Sequence, residues 1–275
     1  MPFPPSPAAL APRRRAAAAL ALASVVASLL AGLPAAAPAT AAAATGLPSY
    51  HPSRLSHLGH ARQVVVVTAP GWSSRRGTLR AYQQRAGGSW DRVLDADRVW
   101  LGANGLVAAG DRRQSTLTTP AGTFGLGPAF GTSVDPGTRL PYESVDSRDW
   151  WPYDPRDPAT YNVWQQRRSA ASDWRTSWAE DLSSFGRQYR HAVVVGFNLP
   201  HGVHWAGGER VADRPADTRR GGGIFLHVQA RALAERPTAG CVAMPMTRLV
   251  ALLRWLDPAS RPVVVIGPRS SIDRM

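Results

Sequence analysis

The first half of this chain places short apolar runs only a few residues apart. Residues 64–67 are four consecutive valines, which is typical of a buried strand. Residues 78–85 and 89–94 flank Gly87-Gly88 and predict a hairpin, and Asn104-Gly105 predicts another. Connections this short leave no room for the helices that join parallel strands. The pattern predicts a mainly β fold, an antiparallel sandwich or barrel with one or two packed helices.

The second half adds strands and helical patterns. Residues 191–196, 224–228 and 261–267 are apolar enough for buried strands. Residues 245–256 carry leucines at helical spacing and predict a helix. A second core-facing helix, which Ser172 or Asp173 could cap, is indicated by four apolar residues at similar spacing: Trp174, Trp178, Leu182 and Phe185. We expect a glycine-rich, turn-rich segment at 110–130 and a polar loop at 207–220.

The N-terminus has the composition of a targeting segment. Three arginines at 13–15 precede an apolar, alanine-rich run at 16–33 and small residues at 39–44. We predict a signal peptide over residues 1–44, with a retained membrane anchor as the alternative. Residues 45–61 are expected to form a solvated linker, residues 62–268 the main folded domain, and residues 269–275 a loose tail.

The net charge narrows the choice of partner only slightly. The formal charge is +13, and every basic residue is arginine. Such a surface suits polyanions, for example nucleic acid or an anionic cell wall. No nucleic-acid-binding motif is present, so we expect no nucleic acid partner. The absence of lysine beside abundant alanine and proline also indicates a GC-rich genome, which weakens any functional interpretation of the charge.

Cys241 is the only cysteine, and it follows His227 by fourteen residues. A free thiol is mostly protonated at neutral pH, so a nucleophilic cysteine needs a base or a positive field. His227 would stand at the end of a strand as the base, and a helix beginning after Cys241 would supply the field. His201 and His204 remain alternative bases. A lone cysteine is, however, more often a small buried apolar residue.

Backbone groups near the thiol are candidate donors to an oxyanion. The N–H groups of Gly240, Cys241 and Val242 lie at the right place in sequence. No metal or organic cofactor is predicted. The aromatic residues between 146 and 164 either line a substrate cleft or fill the core, and the sequence does not choose.

The segment around Cys241 resembles the active-site motif of the L,D-transpeptidase catalytic domain family (YkuD-like). Family members carry a histidine, a spacer, and then Ser/Thr-His-Gly-Cys before a hydrophobic residue. Thr238, Gly240 and Val242 match this motif, whereas Ala239 stands where many members have a second histidine. Upstream, residues 119–124, 149–155, 161–162 and 196–198 are similar to segments of one branch of the family. The resemblance covers roughly residues 62–268.

The resemblance implies an acyl transfer through a thioester on Cys241. The donor would be a peptidoglycan stem tetrapeptide that loses D-alanine, and an amine of a second stem would be the acceptor, giving a 3→3 cross-link. Thr238 and Asn198 would position the substrate. The protein would be secreted and work at the cell wall or in the periplasm, touching the membrane only through an uncleaved leader. The alternatives are a thiol hydrolase or carboxypeptidase on other peptides, and a non-catalytic wall-binding module.

Overall fold

The computed structural model describes residues 47–166, 172–230 and 236–275, apart from the side chain of Asp97. All of them belong to one compact unit, Gly46–Met275. The predicted signal peptide, 1–44, lies outside the described residues. Within the described ranges, no helix has the length and apolar character needed to cross a membrane.

The described residues are mostly β-strand, as predicted, with one α-helix, α1 (Met246–Trp255), where a helix was expected. The strands are β1 (Gln63–Ala69), β2 (Arg76–Gln84), β3 (Trp90–Trp100), β4 (Leu106–Ala108), β5 (Thr119–Gly131), β6 (Tyr142–Ser144), β7 (Trp150–Pro152), β8 (Ala179–Asp181), β9 (Ala192–Val195), β10 (His201–Ala206), β11 (Glu209–Arg214), β12 (Phe225–Val228), β13 (Val242–Met244) and β14 (Val263–Pro268).

The main sheet closes on itself as a barrel. The strands pair in the order β14, β1, β2, β3, β13, β12, β9 and β5. The long strand β5 completes the ring because its first half pairs with β14 and its second half pairs with β9. A closed ring leaves no open edge on these strands.

Most strand pairs are antiparallel, as predicted, and a few parallel pairs join them. Strand β1 pairs in parallel with β14, and β12 pairs in parallel with β13. The Asn104-Gly105 turn does form, but not as a hairpin. Leu117 O accepts from the Asn104 N–H (3.0 Å), and Gly105 O accepts from the Thr119 N–H (2.9 Å). The turn is therefore bound by the start of β5, and β4 pairs in parallel with β5.

Three other local predictions were wrong, wholly or in part. The helix expected between 172 and 186 is replaced by β8 and two 3₁₀ turns, Thr176–Trp178 and Leu182–Phe185. Strand β8 pairs with β7, so a tertiary contact overrides the helical spacing. The expected turn-rich segment at 110–130 largely forms β5, and part of the expected loop at 207–220 forms β11, which pairs with β10.

Side chains on the barrel strands alternate between an inner core and two outer clusters. Val65 and Val67 point inward with three fully buried leucines of α1, Leu249, Leu252 and Leu253. Strands buried on both faces need continuous apolar runs, which explains the four valines.

One outer cluster, here called the terminal cluster, consists of Ala61, Val64, Val66, Tyr82, Val265 and Ile272. Leu55 and Leu58 from the predicted linker pack against it. The predicted loose tail is ordered there as well: Ile272 is fully buried, and Met275 O accepts a hydrogen bond from Thr123 Oγ1 (2.8 Å). Linker and tail thus complete the domain.

The other outer cluster, here called the aromatic cluster, covers β9 and β12. Its aromatic members are Phe130, Trp151, Tyr153, Tyr161, Trp164, Tyr189 and Phe225. Most of the aromatic segment at 146–164 therefore fills a core, which decides between the two interpretations left open by the sequence. Cys241 is a member of the same cluster.

Candidate active site

The register of two parallel strands brings Cys241 and His227 to one face of the sheet. Leu226 pairs with Val242, and His227 pairs with Ala243. Alternate residues of a strand share a face, so Cys241 lies on the same face as Ala243 and hence on that of His227. Diagonal neighbours of this kind are within reach of their side chains. The face is the outer one, beneath the aromatic cluster.

Two cavities meet at the thiol. The first, about 310 Å³, is lined by both His227 and Cys241. The second, about 230 Å³, is lined by Cys241, Arg112 and Tyr153. Ala239, where many family members have a second histidine, lines both cavities and is exposed. A small side chain here leaves the approach to the thiol open.

The thiol of Cys241 is buried and protonated at neutral pH. Its Sγ donates to Gly223 O (3.3 Å) and accepts from the Phe225 N–H (3.4 Å). Burial, with the nearby carboxylate of Glu180 as a smaller cause, raises the pKa of Cys241 to about 12. The expected helix does not follow directly: β13 comes first and α1 begins at Met246, so no helix N-terminus lowers this pKa.

His227 is held as a neutral imidazole of one tautomer. Its Nδ1 lies 2.8 Å from Val228 O, and a carbonyl oxygen only accepts, so Nδ1 carries the proton. The other nitrogen, Nε2, is then left with its lone pair. Burial lowers the pKa of His227 to about 4. The ring of Tyr189 packs edge-on against the imidazole at 5.6 Å and fixes its plane.

Glu180 lines the site, although no sequence pattern marks it. It lies on β8 in the segment mistaken for a helix, and its carboxylate accepts from Tyr189 Oη (2.5 Å). It lines both cavities and interacts with Cys241. Burial raises the pKa of Glu180, although the tyrosines partly offset this.

Thr238 and Gly240 shape the turn before the nucleophile. Thr238 Oγ1 donates to Cys241 O (2.7 Å) and accepts from the Gly240 N–H (3.1 Å). The predicted donor Gly240 is thus occupied by Thr238. The N–H of Cys241 itself has no hydrogen-bond partner among the described residues, which leaves it available to an oxyanion. Val242 is fully buried in the sheet as the first residue of β13.

Asn198 lies outside the walls of both cavities. Its side chain donates to the carbonyls of Asp217 (2.9 Å) and Gly221 (2.7 Å) and accepts from the Asp217 N–H (3.1 Å). Its carbonyl accepts from Asn162 Nδ2 (2.6 Å), and Asn162 Oδ1 accepts from the Gly223 N–H (2.8 Å). Asn198 therefore holds the backbone that contacts the thiol rather than the substrate.

The alternative bases lie on an exposed hairpin. His201 and His204 are exposed on β10, and neither lines the two cavities at Cys241. His204 Nδ1 lies 3.3 Å from a carboxylate oxygen of Asp213. The geometry favours His227 as the base.

Comparison with known proteins gives two findings. The sequence profile of the YkuD family, described as the L,D-transpeptidase catalytic domain, matches residues 90–265. Among solved structures, the helical cell shape determining protein Pgp2 from Campylobacter jejuni is similar with a TM-score of 0.37 and 13% identity. That similarity covers 78% of this chain and 53% of Pgp2, so the chain spans about half of the length of Pgp2.

At this TM-score the structural likeness carries no information about function. A comparison with curated protein sequences gave no match. The profile match, in contrast, includes β12, β13 and the turn that carries the thiol. Because it extends over more than half of the sequence, the chain belongs to the L,D-transpeptidase catalytic domain family.

Proposed function

We propose that this chain is a cysteine-dependent L,D-transpeptidase that acts on peptidoglycan stem peptides. The supporting observation is the position of Cys241 and His227. They lie on the same face of the sheet, at adjacent strands, and both line one cavity of about 310 Å³. The donor is a stem tetrapeptide, which is cleaved before its terminal D-alanine. A side-chain amine of a second stem accepts the acyl group, which gives a 3→3 cross-link; a water acceptor would give a carboxypeptidase.

The protonation states define how the nucleophile is activated. With a pKa of about 12 for Cys241 and about 4 for His227, the resting pair is a neutral thiol and a neutral imidazole. Attack on the carbonyl therefore has to be accompanied by transfer of the thiol proton to Nε2 of His227. The carbonyl π electrons move to oxygen, and the Cys241 N–H donates to the resulting oxyanion.

Collapse of this intermediate breaks the C–N bond of the donor. The imidazolium of His227 gives its proton to the departing D-alanine amine and is neutral again, while the acyl group remains on Cys241 Sγ. The acceptor amine then attacks the thioester and passes a proton to His227. The departing thiolate takes that proton back, so each residue ends the cycle in its starting form.

The same chemistry indicates where the protein works. Its substrate is a wall polymer, so we propose an extracytoplasmic location, at the cell wall or in the periplasm, reached through the signal peptide predicted at residues 1–44. The basic charge of the chain suits an anionic wall.

One observation favours a second candidate, a wall-binding module without catalysis. The Cys241 thiol is buried, and both of its hydrogen-bond partners are backbone groups of this chain. A thiol held in this way is inert unless the substrate draws its proton away. Replacing Cys241 would leave the function of such a module unchanged.

Intact-mass spectrometry distinguishes the two candidates. The mature protein and a Cys241→Ala variant are incubated first with a carbapenem and then with a stem tetrapeptide. We expect one covalent adduct on the wild type alone and release of D-alanine from the tetrapeptide. A folded wild type that forms no adduct and releases no D-alanine would reject the transpeptidase. An adduct without D-alanine release would indicate a thiol hydrolase on other peptides.

A further inference from the structure

Arg112 is a buried arginine in the wall of the second cavity. It is only 4% exposed. Its Nε donates to Thr118 O (3.1 Å) and its Nη1 donates to Arg220 O (2.7 Å), while the guanidinium stands over the ring of Phe197 at 5.4 Å. These contacts hold the guanidinium of Arg112 in place from two sides. The remaining nitrogen, Nη2, has no hydrogen-bond partner among the described residues.

The positive charge of Arg112 lacks a carboxylate partner in the described part of the chain. Burial lowers its pKa, and the groups that oppose this effect are Cys241, Tyr161 and Tyr153, all neutral at pH 7. Glu180 lines the same cavity but makes no ion pair with Arg112. A buried charge is costly unless an opposite charge accompanies it. An anion that enters the cavity would supply the opposite charge that Arg112 lacks among the described residues.

Two glycines make room for this guanidinium beside the nucleophile. A Cβ on Gly221 would stand 2.1 Å from Arg112 Nη1, and one on Gly240 would stand 3.2 Å from Nη2. Both glycines have positive φ, +80° and +146°, which other residues rarely adopt. Gly240 directly precedes Cys241, so Nη2 faces the backbone that presents the thiol.

We infer that Arg112 binds the C-terminal carboxylate of the donor peptide, on the residue that leaves. This rests on the proposed function, since it takes Cys241 to be the nucleophile. In a donor that loses one terminal residue, only the nitrogen and Cα separate the attacked carbonyl carbon from that carboxylate. The two groups are therefore about 3–4 Å apart by standard bond lengths. A guanidinium next to the thiol can hold one while the thiol attacks the other.

This assignment explains how the enzyme would select donor peptides with a single residue after the scissile bond. A peptide with one residue after the scissile bond places its carboxylate at Arg112. A peptide with two such residues, or with a C-terminal amide, places an uncharged group there and leaves the guanidinium buried and unpaired. Charge-assisted hydrogen bonds of this kind are strong and directional. Arg112 is thereby a specificity-determining residue.

The test compares two donors that differ only in their last group. The kcat/KM for release of the terminal residue is measured for a stem tetrapeptide with a free carboxylate and for its C-terminal carboxamide. We expect the wild type to favour the free acid by roughly 10- to 100-fold. Arg112→Gln should remove that preference by slowing the acid alone, whereas Arg113→Gln, which deletes the neighbouring exposed arginine, should retain it.

The possible failures can be told apart. A wild type that turns over both donors equally overturns the role of Arg112 and leaves the transpeptidase intact. A wild type that releases nothing from either donor and forms no carbapenem adduct overturns the proposed function itself. If Arg112→Gln lowers both rates by the same factor, the arginine only supports the fold. If that variant does not fold, the preference of the wild type and its retention in Arg113→Gln decide the question.

Discussion

The two outer faces of the barrel are covered in different ways. The terminal cluster is built from aliphatic side chains and a single tyrosine, with Ile272 and Val265 at its centre. The aromatic cluster is built mostly from aromatic side chains, and it also encloses a thiol and borders an imidazole and a carboxylate, those of Cys241, His227 and Glu180. One outer face of the sheet is therefore packed mainly with apolar groups, whereas the other also contains a thiol, an imidazole and a carboxylate. The segments packed over each face account for this difference.

Burial has different effects in the two clusters because the buried groups differ. Over the terminal cluster, burial of apolar side chains only stabilises the fold. Under the aromatic cluster, burial holds a thiol and an imidazole in their neutral forms. Ionisable groups with strongly shifted pKa values are typical of functional sites. The neutral thiol and the neutral imidazole are the starting forms that the proposed proton transfer requires.

The largest expected effect comes from removing the base under the aromatic cluster. His227→Ala should slow carbapenem acylation of Cys241 by about two to four orders of magnitude, because it removes the proposed acceptor of the thiol proton. Time-resolved intact-mass spectrometry gives the rate. His204→Ala, on the exposed β10, is the matched control and should acylate at the wild-type rate. If His204→Ala acylates slowly and His227→Ala acylates at the wild-type rate, the base is His204 on β10 rather than His227.

The opposite result is expected from the terminal cluster. Ile272→Ala deletes a fully buried side chain and should lower the free energy of unfolding by about 2–5 kcal/mol. Urea denaturation measures this loss. The acylation rate of the molecules that remain folded should not change, since Ile272 lies in a different cluster from Cys241. A lower rate in a fully folded sample would mean that the two faces are coupled.

A smaller effect should appear in the pH dependence of stability. The unfolded chain protonates His227 near pH 6.5, whereas the folded chain resists until about pH 4. Acid therefore favours the unfolded state, and stability is lost as pH falls from 6.5 to 4, by roughly 3 kcal/mol for this residue. His227→Gln cannot titrate and should lack this part of the slope. Equal slopes for both proteins in urea titrations would show that His227 is not held neutral by burial.

Sequence patterns sufficed where local signals were strong. The valine run at 64–67, the Gly87-Gly88 hairpin and the leucines of α1 all formed the predicted elements. That Cys241 and His227 line one cavity agrees with the family motif they match, and their roles stay a prediction. The signals that failed were those that long-range pairing overrode, such as the helical spacing from Trp174 to Phe185.

Arg112 and Glu180 could not be predicted, and the reason is physical. Each comes from a segment far from Cys241 in sequence, and neither lies in a local pattern that marks it. Arg112 acquires its role from carbonyl groups at Thr118 and Arg220, and Glu180 from the hydroxyl of Tyr189. Only the folded chain creates these surroundings. The structure shows that the buried charge of Arg112 has no carboxylate partner among the described residues. The sequence, with its many arginines, does not single Arg112 out.

The parallel pairing of β12 with β13 has a consequence for the state of the thiol during folding. Parallel neighbours cannot be joined by a tight turn, so the chain must travel around a long connection before β13 aligns with β12. The β12–β13 contacts form only once this connection has closed. Until they form, the thiol of Cys241 is open to solvent and ionises at an ordinary pKa, near 8.5. Protection of the Cys241 thiol from oxidants is thus acquired on folding, and the unfolded chain exposes it.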